Sequence, residues 1–301
     1  MELRQLEYFV AVVETRSFSL AAERCNITQP SLSQQIIKLE NEIGQQLFHR
    51  LGRTITLTEV GEILYPHARG ILSDIQQAQY AVTKGYSAEI GRVAVGIIPT
   101  LGPYLLRDTI SHFKTQHPDA KLVIHEDTTD ILLEKLMNAE LDVCYISLPV
   151  DRQQITTERL FVEPLYIAIA AGHELATQSS IPAHLLKTMP FIQLTDKNCL
   201  SAQLDAFCYV QQINPPIAYH TTQLATALEF VRLGMGLSLV PASAAATYPN
   251  GDIKFLNISH NPPTRVIVAA RHRARSTSIL DSGFTGSLID AWNILTKNMF
   301  Q

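Results

Sequence analysis

Apolar residues in this 301-residue chain keep helical spacing up to about Gly85, and beyond Gly91 they switch to short strand-like runs alternating with helical segments. One chain must therefore carry two architectures, a helical N-terminal part and an α/β remainder. At ~150 residues per domain the length holds about two domains, and a hydrophobic content of 46% supports cores that need no disulfide staples. In the first part Leu3, Leu6, Phe9, Val10 and Val13 line one helix. Ser17 or Ser19 is placed to cap a second, which carries Phe18, Ala21, Ala22 and Cys25. After the tight connection through Asn26, Thr28 stands at an N-cap and Pro30 in the first turn, where its missing N–H is harmless. The third helix sets Leu32, Ile36, Leu39 and Ile43 on one stripe and stops at Gly44.

From Thr58 to about Gly85 the apolar positions Val60, Leu64, Ala68, Ile71, Ile75, Ala78 and Val82 step by 4, 4, 3, 4, 3 and 4. That is close to the 3.5-residue repeat of a coiled-coil seam, with Val60, Leu64, Ile71 and Ile75 as its dimer contacts. The alternative is a helix lying on its own domain. Pro66 inside the stretch predicts a kink or a break.

Beyond Gly91 the pattern reads as strand at Val93–Ile98, turn at Pro99–Pro103, helix at Tyr104–Gln116, strand at Lys121–Glu126, helix at Ile131–Ala139 and strand at Leu141–Ile146. A second unit begins near Glu163, with strands at Leu165–Ala171 and Pro190–Leu194 and a helix at Leu224–Leu233 leading into Leu237–Pro241. A strand at Val266–Ala270 and a helix at Ser278–Lys297 close the chain. Such βαβ alternation predicts a mostly parallel sheet.

A formal charge of −4 exerts no global pull on nucleic acid or acidic lipid, so DNA binding has to come from a local surface. Residues 24–58 supply one: Arg24, Lys38, Arg50 and Arg53 stand against Glu40 and Glu42. On the third helix the face opposite the apolar stripe carries Gln29, Pro30, Ser31, Ser33, Gln34, Gln35 and Lys38. Short polar side chains ending in a cation suit base edges and phosphates, and by composition alone they suit solvation equally well. Small residues packed between the helices and a short turn favour a helix-turn-helix, and Arg50–Arg53 followed by the alternating Thr54–Thr58 reads as a hairpin wing. No apolar run approaches the ~18 residues of a membrane span. A charged, amphipathic N-terminus and few cysteines lead us to expect a reducing, cytoplasmic location and no membrane association.

The runs Leu6-Glu-Tyr-Phe-Val-Ala-Val-Val-Glu14, Ser17-Phe-Ser-Leu-Ala-Ala-Glu23, Thr28-Gln-Pro-Ser-Leu-Ser-Gln-Gln-Ile-Ile-Lys-Leu-Glu40 and Leu47-Phe-His-Arg50 together resemble the winged helix-turn-helix of LysR-type transcriptional regulators. The resemblance implies an α+β multidomain chain. It would comprise a winged helix-turn-helix over 1–58, a linker helix over 59–88 and a two-lobed α/β domain similar to type 2 periplasmic binding proteins over 89–301. The chain would cross twice between the lobes, which gives 89–162 plus 266–301 for one and 163–265 for the other. It further implies that Gln29, Pro30, Ser31, Ser33, Gln34 and Lys38, with Arg50 and Arg53 in the wing, face double-stranded operator DNA. A homodimer or homotetramer and contact with RNA polymerase are the other partners it implies, and no cofactor is expected.

Cys199 and Cys208 lie nine residues apart, and between them Leu200, Leu204 and Phe207 have helical spacing. On a helix the two thiols point to opposite faces and stand roughly 13 Å apart along the axis, whereas a disulfide needs Cα atoms within about 7 Å. The segment can be a helix or a disulfide, not both. The pair, with Gly96-Ile-Ile-Pro-Thr-Leu-Gly-Pro-Tyr-Leu-Leu106, Thr129 and Gly234-Met-Gly-Leu-Ser-Leu-Val-Pro241, resembles the peroxide-sensing OxyR-type members of the family. That resemblance implies hydrogen peroxide as signal, Cys199 as the thiol oxidised first, Cys208 as its disulfide partner, and Thr100, Thr129, Asn198 and Arg265 around the peroxide. Departures occur at Asn198, where some members carry a histidine, at Ser201-Ala202, where they carry Arg-Asp, and at Ala218, a histidine elsewhere, with His220 nearby. Cys25 and Cys144 are expected to be buried and inert. A regulator answering to an organic co-inducer between the lobes, and a thiol peroxidase using Cys199 in turnover, are the rival readings. His125-Glu-Asp127 and Arg271-His-Arg-Ala-Arg275 lack metal-ligand spacing.

Overall fold

A computed structural model describes residues 1–49, 55–83, 91–195, 199–248 and 251–299. The chain divides into two compact units, Met1–Arg92 with Lys135–Glu140, and Val93–Glu134 with Leu141–Gln301.

In the first unit α1 (Leu3–Thr15), α2 (Phe18–Arg24) and α3 (Gln29–Ile43) precede a hairpin of β1 (Phe48–His49) and β2 (Thr56–Leu57), and α4 (Glu59–Thr83) follows. Local chemistry sets these limits. The Ser17 hydroxyl accepts from the Leu20 N–H, and the Thr28 hydroxyl from the Ser31 N–H. Gly44 ends α3 in the left-handed conformation at φ +76. Phe9, Leu32, Ile36, Leu39, Leu47 and Phe48 form the core, with the Phe48 ring 5.4 Å from Phe9 and 5.7 Å from Phe18. The Glu40 carboxylate, almost buried, accepts the Leu47 N–H at 2.9 Å and ties the start of the hairpin to α3.

Two features of the linker helix bear on the expectations of a kink or break at Pro66 and of a dimer seam. The helix runs through Pro66 unbroken. The carbonyl that loses its donor belongs to the exposed Glu62, where water can replace the bond. Ala68 is buried, and Val60, Leu64 and Leu72 pack on the core of the winged unit. The stripe expected at a dimer seam is thus partly used within the chain, Ile75 is half-buried, and among the described side chains of the helix Ile63 and Ile71 are exposed, at 60% and 39%.

The second unit comprises β3 (Arg92–Ile97), α5 (Gly102–Gln116), β4 (Lys121–Glu126), α6 (Thr129–Met137), β5 (Val143–Ser147), β6 (Ile155–Ala170), β7 (Ser180–Pro182), β8 (Phe191–Leu194), α7 (Cys199–Gln211), β9 (Ile217–Thr221), α8 (Leu224–Arg232), β10 (Ser238–Pro241), α9 (Ala242–Thr247), β11 (Ile253–Ser259), β12 (Thr264–His272) and α10 (Ile279–Met299). The main sheet has the order β4-β3-β5-β12-β6-β11-β7, with β10 also on β6, and β8 pairs with β9 in a separate sheet. It is mixed rather than mostly parallel. β3 and β5 are parallel, as are β7 and β11, but β12 runs antiparallel to both β5 and β6, and β10 and β11 antiparallel to β6.

The reason is the length of β6. Its first ten residues, to Pro164, pair with β12, and from Leu165 onward it pairs with β10 and β11. One strand thereby belongs to both lobes. The second lobe packs Leu165, Ile167, Phe191, Ile192, Leu204, Phe207, Leu228 and Val240 into a single core. In the first lobe Arg271 on β12 bonds both oxygens of Asp281 on α10, at 2.6 and 2.7 Å, so the arginine run of the sequence serves partly to dock the last helix.

Phe48 holds the winged unit together by filling the gap between α1 and α2. Phe48→Ala is expected to destabilise that unit by about 3–5 kcal/mol. A urea titration followed by a probe in residues 1–49 checks this, and an unchanged midpoint would contradict the packing described.

Candidate functional site

Two surfaces combine chemistry-bearing residues. On α3, Gln29, Pro30, Ser31, Gln34 and Lys38 are exposed and Ser33 is half-buried, while Leu32, Ile36 and Leu39 turn inward. Of the polar face predicted for the third helix, five residues are open to solvent, and Ser33 and Gln35 are partly covered. Lys38 Nζ rests 3.2 Å from a Glu2 carboxylate oxygen in an exposed ion pair, of the kind contributing about 1 kcal/mol or less. Arg50 and Arg53 lie outside the described residues, between the two strands of the hairpin.

The other surface lies where the lobes meet. β3 leads into Thr100, which is 1% exposed just before α5. β12 and β6 bring Arg265 directly opposite Glu163 in the antiparallel ladder, so both side chains leave the sheet on one face. Both are fully buried. Arg265 Nε and Nη2 each lie 2.7 Å from Glu163 Oε2, and Glu163 Oε1 accepts the Ser243 N–H at 2.8 Å. The rest of the guanidinium turns to Thr100: Nη2 donates to its carbonyl at 2.9 Å and Nη1 to its hydroxyl at 2.7 Å.

Cys199, the first residue of α7, completes the group. Its Sγ lies 3.5 Å from Thr100 Oγ1 and 3.8 Å from Arg265 Nη1. A half-buried thiol thus meets a hydroxyl and a cation that Glu163 holds in a fixed fork geometry. Four residues on, and so on the same face of α7, Gln203 Nε2 donates to Ser147 Oγ on β5 at 2.6 Å. Cys199 and Gln203 both connect α7 to the first lobe.

Leu200, Ser201, Leu204 and Phe207 form the inward side of α7, and Cys208 packs half-buried against the second-lobe core on that side. The two cysteines therefore face apart on an intact helix, and all four cysteines of the chain are reduced thiols. Burial, and secondarily the Asp205 carboxylate, push the Cys208 thiol up to about 11. Tyr104, on α5 beside Arg265 and Glu163, is pushed up to about 12, chiefly by burial.

Of the predicted peroxide-site residues, Thr100, Cys199 and Arg265 come together. Thr129 stands half-buried at the start of α6, and Asn198 lies outside the described residues. Ala218 and His220 are exposed on β9. Cys144 is fully buried, but Cys25, expected to be buried as well, is half-buried at the end of α2. The sequence reading missed Glu163, Gln193 and Ser147. A lone glutamate or glutamine in a strand carries no sequence signal of burial, because such residues are mostly exposed. Among the described residues no group of histidine, cysteine and carboxylate side chains could hold a metal ion, and no helix is long and apolar enough to cross a membrane.

A winged helix-turn-helix followed by a long helix and a two-lobed α/β unit with a polar centre between its lobes is the architecture of a DNA-binding regulator. Residues 3–62 match the bacterial regulatory helix-turn-helix protein, lysR family, and residues 87–288 match the LysR substrate binding domain. The chain belongs to the LysR family of transcriptional regulators. It is 33% identical over 244 residues, 81% of this chain and 80% of the relative, to the DNA-binding transcriptional dual regulator OxyR of Escherichia coli K12. A full-length OxyR variant from Pseudomonas aeruginosa is similar in structure, with a TM-score of 0.76 and 30% identity over 97% of this chain and 94% of that one. A hydrogen-peroxide-bound OxyR variant from Corynebacterium glutamicum gives a TM-score of 0.66 and 29% identity over 99% and 94%.

Because only the thiolate alkylates, a Cys199→Ser variant should show Cys208 alkylation by iodoacetamide climbing about tenfold per pH unit from 7 to 10, without levelling near 8.5. Peptide mass mapping against pH measures this. A plateau near 8.5 would mean that Cys208 is not held in the buried position described.

Proposed function

We propose that this LysR-type regulator senses hydrogen peroxide through Cys199 and Cys208, and that closure of a disulfide between them changes how it occupies operator DNA. The observation that carries the reading is the placement of Cys199 Sγ beside Thr100 Oγ1 and Arg265 Nη1, at the head of a helix whose far end carries Cys208.

The chemistry follows in two balanced steps. The Cys199 thiolate attacks one peroxide oxygen, an S–O bond forms, the O–O bond breaks, and the departing hydroxide takes a proton to become water. Cys199 is then a sulfenic acid, and the peroxide has accepted two electrons. Arg265 and the N-terminus of α7 are suited to stabilise the anionic sulfur. Thr100 can hydrogen-bond the peroxide, with Thr129 and Asn198 as the further candidates. In the second step the Cys208 sulfur attacks the Cys199 sulfur, the S–O bond breaks, and the oxygen leaves as water with the proton of the Cys208 thiol.

That second step cannot occur on the helix as it stands. About 13 Å of axial rise has to shrink below about 7 Å between Cα atoms. At least part of α7 must unwind, which breaks the Gln203–Ser147 bond and frees Leu204 and Phe207 from their packing. A rearrangement of this size is suited to alter packing between copies of the sensor unit and, through α4, the spacing of paired winged helices. The assembly is at least a dimer in this reading. Within the seam predicted for α4, Ile71 offers exposed apolar surface for such a contact, together with Ile63 beside the seam.

Gln29, Pro30, Ser31, Ser33, Gln34 and Lys38 are the proposed DNA-facing side, with Arg50 and Arg53 in the wing. Gln34→Ala should reduce discrimination between operator and random DNA by about 1–3 kcal/mol, whereas Lys38→Ala should weaken binding to both and lower the salt slope by about 1. Fluorescence anisotropy over a salt series separates the two effects. Parental binding by both variants would show that the recognition helix has been misassigned.

The peroxide reading is tested by mass mapping of thiols after sub-stoichiometric hydrogen peroxide. The parent should yield a Cys199–Cys208 disulfide, Cys208→Ser a sulfenic acid at Cys199 that dimedone traps, and Cys199→Ser no response. Thiols that stay reduced while a small organic acid changes operator occupancy would favour the co-inducer reading instead. Sustained peroxide turnover with a thiol reductant would favour the peroxidase.

A further inference from the structure

β8 supplies Phe191, Ile192 and Leu194 to the second-lobe core, and between them stands a buried glutamine, Gln193. Buried amides are retained when their hydrogen bonds are met. Gln193 Nε2 donates twice to α7, to Ser201 Oγ at 2.8 Å and to Asp205 Oδ1 at 3.2 Å. The orientation of the amide is fixed by chemistry, because the opposite flip would set a carbonyl oxygen against the carboxylate. Ser201, itself 2% exposed, and Asp205 are four residues apart and share one face of α7. Both lie inside the nine-residue interval between the two cysteines.

One amide nitrogen can reach both acceptors only while they remain a helical turn apart, about 6 Å along the axis. In an extended chain the same two residues separate to about 13 Å. Any unwinding between them therefore costs Gln193 at least one partner. We propose that Gln193 is a positioning residue that holds α7 closed, and that through Ser201 and Asp205 it sets how readily the Cys199–Cys208 disulfide forms. The inference rests on the peroxide reading above for its second half, and on the geometry of β8 and α7 alone for its first.

The test uses the full-length chain with Gln193→Leu, which fills the same buried space, and independently Ser201→Ala, which removes the buried acceptor at little steric risk. Reduced protein is alkylated with iodoacetamide, and Cys208 is followed by peptide mass. Both variants should react about tenfold faster than the parent, since loss of the hold exposes the thiol. The disulfide is then equilibrated against dithiothreitol buffers at fixed pH, the dithiol giving up two electrons and two protons as the disulfide is reduced. Both variants should favour the disulfide about tenfold more, a potential ~30 mV more negative for this two-electron couple. In a Cys208→Ser background, trapping of the Cys199 sulfenic acid should proceed at the parental rate within about twofold, because the hold acts on the helix and not on the first oxidation.

Unchanged Cys208 alkylation in both variants overturns the hold. Faster alkylation with an unchanged disulfide equilibrium overturns its role in the switch. Faster alkylation in a chain that never forms the disulfide upholds Gln193 as the clamp on α7 and retires the peroxide reading.

Discussion

Arg265 and Glu163 stand opposite each other on the two longest strands of the sensor unit, and at that depth a charge is tolerable only when its donors and acceptors find partners. They do: the carboxylate takes two guanidinium nitrogens and the Ser243 N–H, and the guanidinium takes Thr100 twice and approaches Cys199. Five segments meet at one ion pair, namely the loop after β3, β6, the head of α7, the head of α9 and β12. Removing one partner from such a pair typically costs about 3–5 kcal/mol, because the other charge is left stranded. The crossing strands and the position of the thiol therefore depend on the same contact, and damage to it would move both.

Resting on that contact, α7 has two conflicting roles. Intact, it ties the second lobe to the first through Cys199 and Gln203 and buries Leu204 and Phe207. A disulfide demands that it open. The same opening answers a second difficulty, since Cys208 is held protonated by burial and by Asp205 and a protonated thiol is a poor nucleophile. Exposure to water lifts the desolvation and brings the sulfur toward Cys199 in one movement. In the proposed switch, geometry and ionisation thus favour the same order of events, oxidation of Cys199 first and unwinding next.

Much of this is legible in the amino-acid sequence. The second and third helices begin at the hydroxyl caps Ser17 and Thr28, and the third stops at Gly44, as the sequence leads one to expect. The opposed faces of Cys199 and Cys208 follow from a rotation of 100° per residue. Periodicity could not say which surface the α4 stripe meets, because a helix packed on its own domain and a helix packed on a partner need the same spacing, and Val60 and Leu64 were used internally. β9 is exposed along almost its whole length and shows no alternation of apolar and polar residues. The first half of β6 reads Thr-Thr-Glu-Arg and so resembles a surface loop. The hub itself was half visible: Arg265 came from the family resemblance, while Glu163 looks like any solvated glutamate until the ladder sets it opposite the arginine.

If α7 and the Cys199–Cys208 disulfide exclude each other, hydrogen exchange across the helix has to follow the redox state. Amides of residues 200–211 would be compared in the reduced chain and in the same chain after one equivalent of hydrogen peroxide, with disulfide content measured on the same samples. The amides should be protected in the reduced chain and lose protection in step with disulfide content. A fully formed disulfide beside undiminished protection across residues 200–208 would contradict that exclusion.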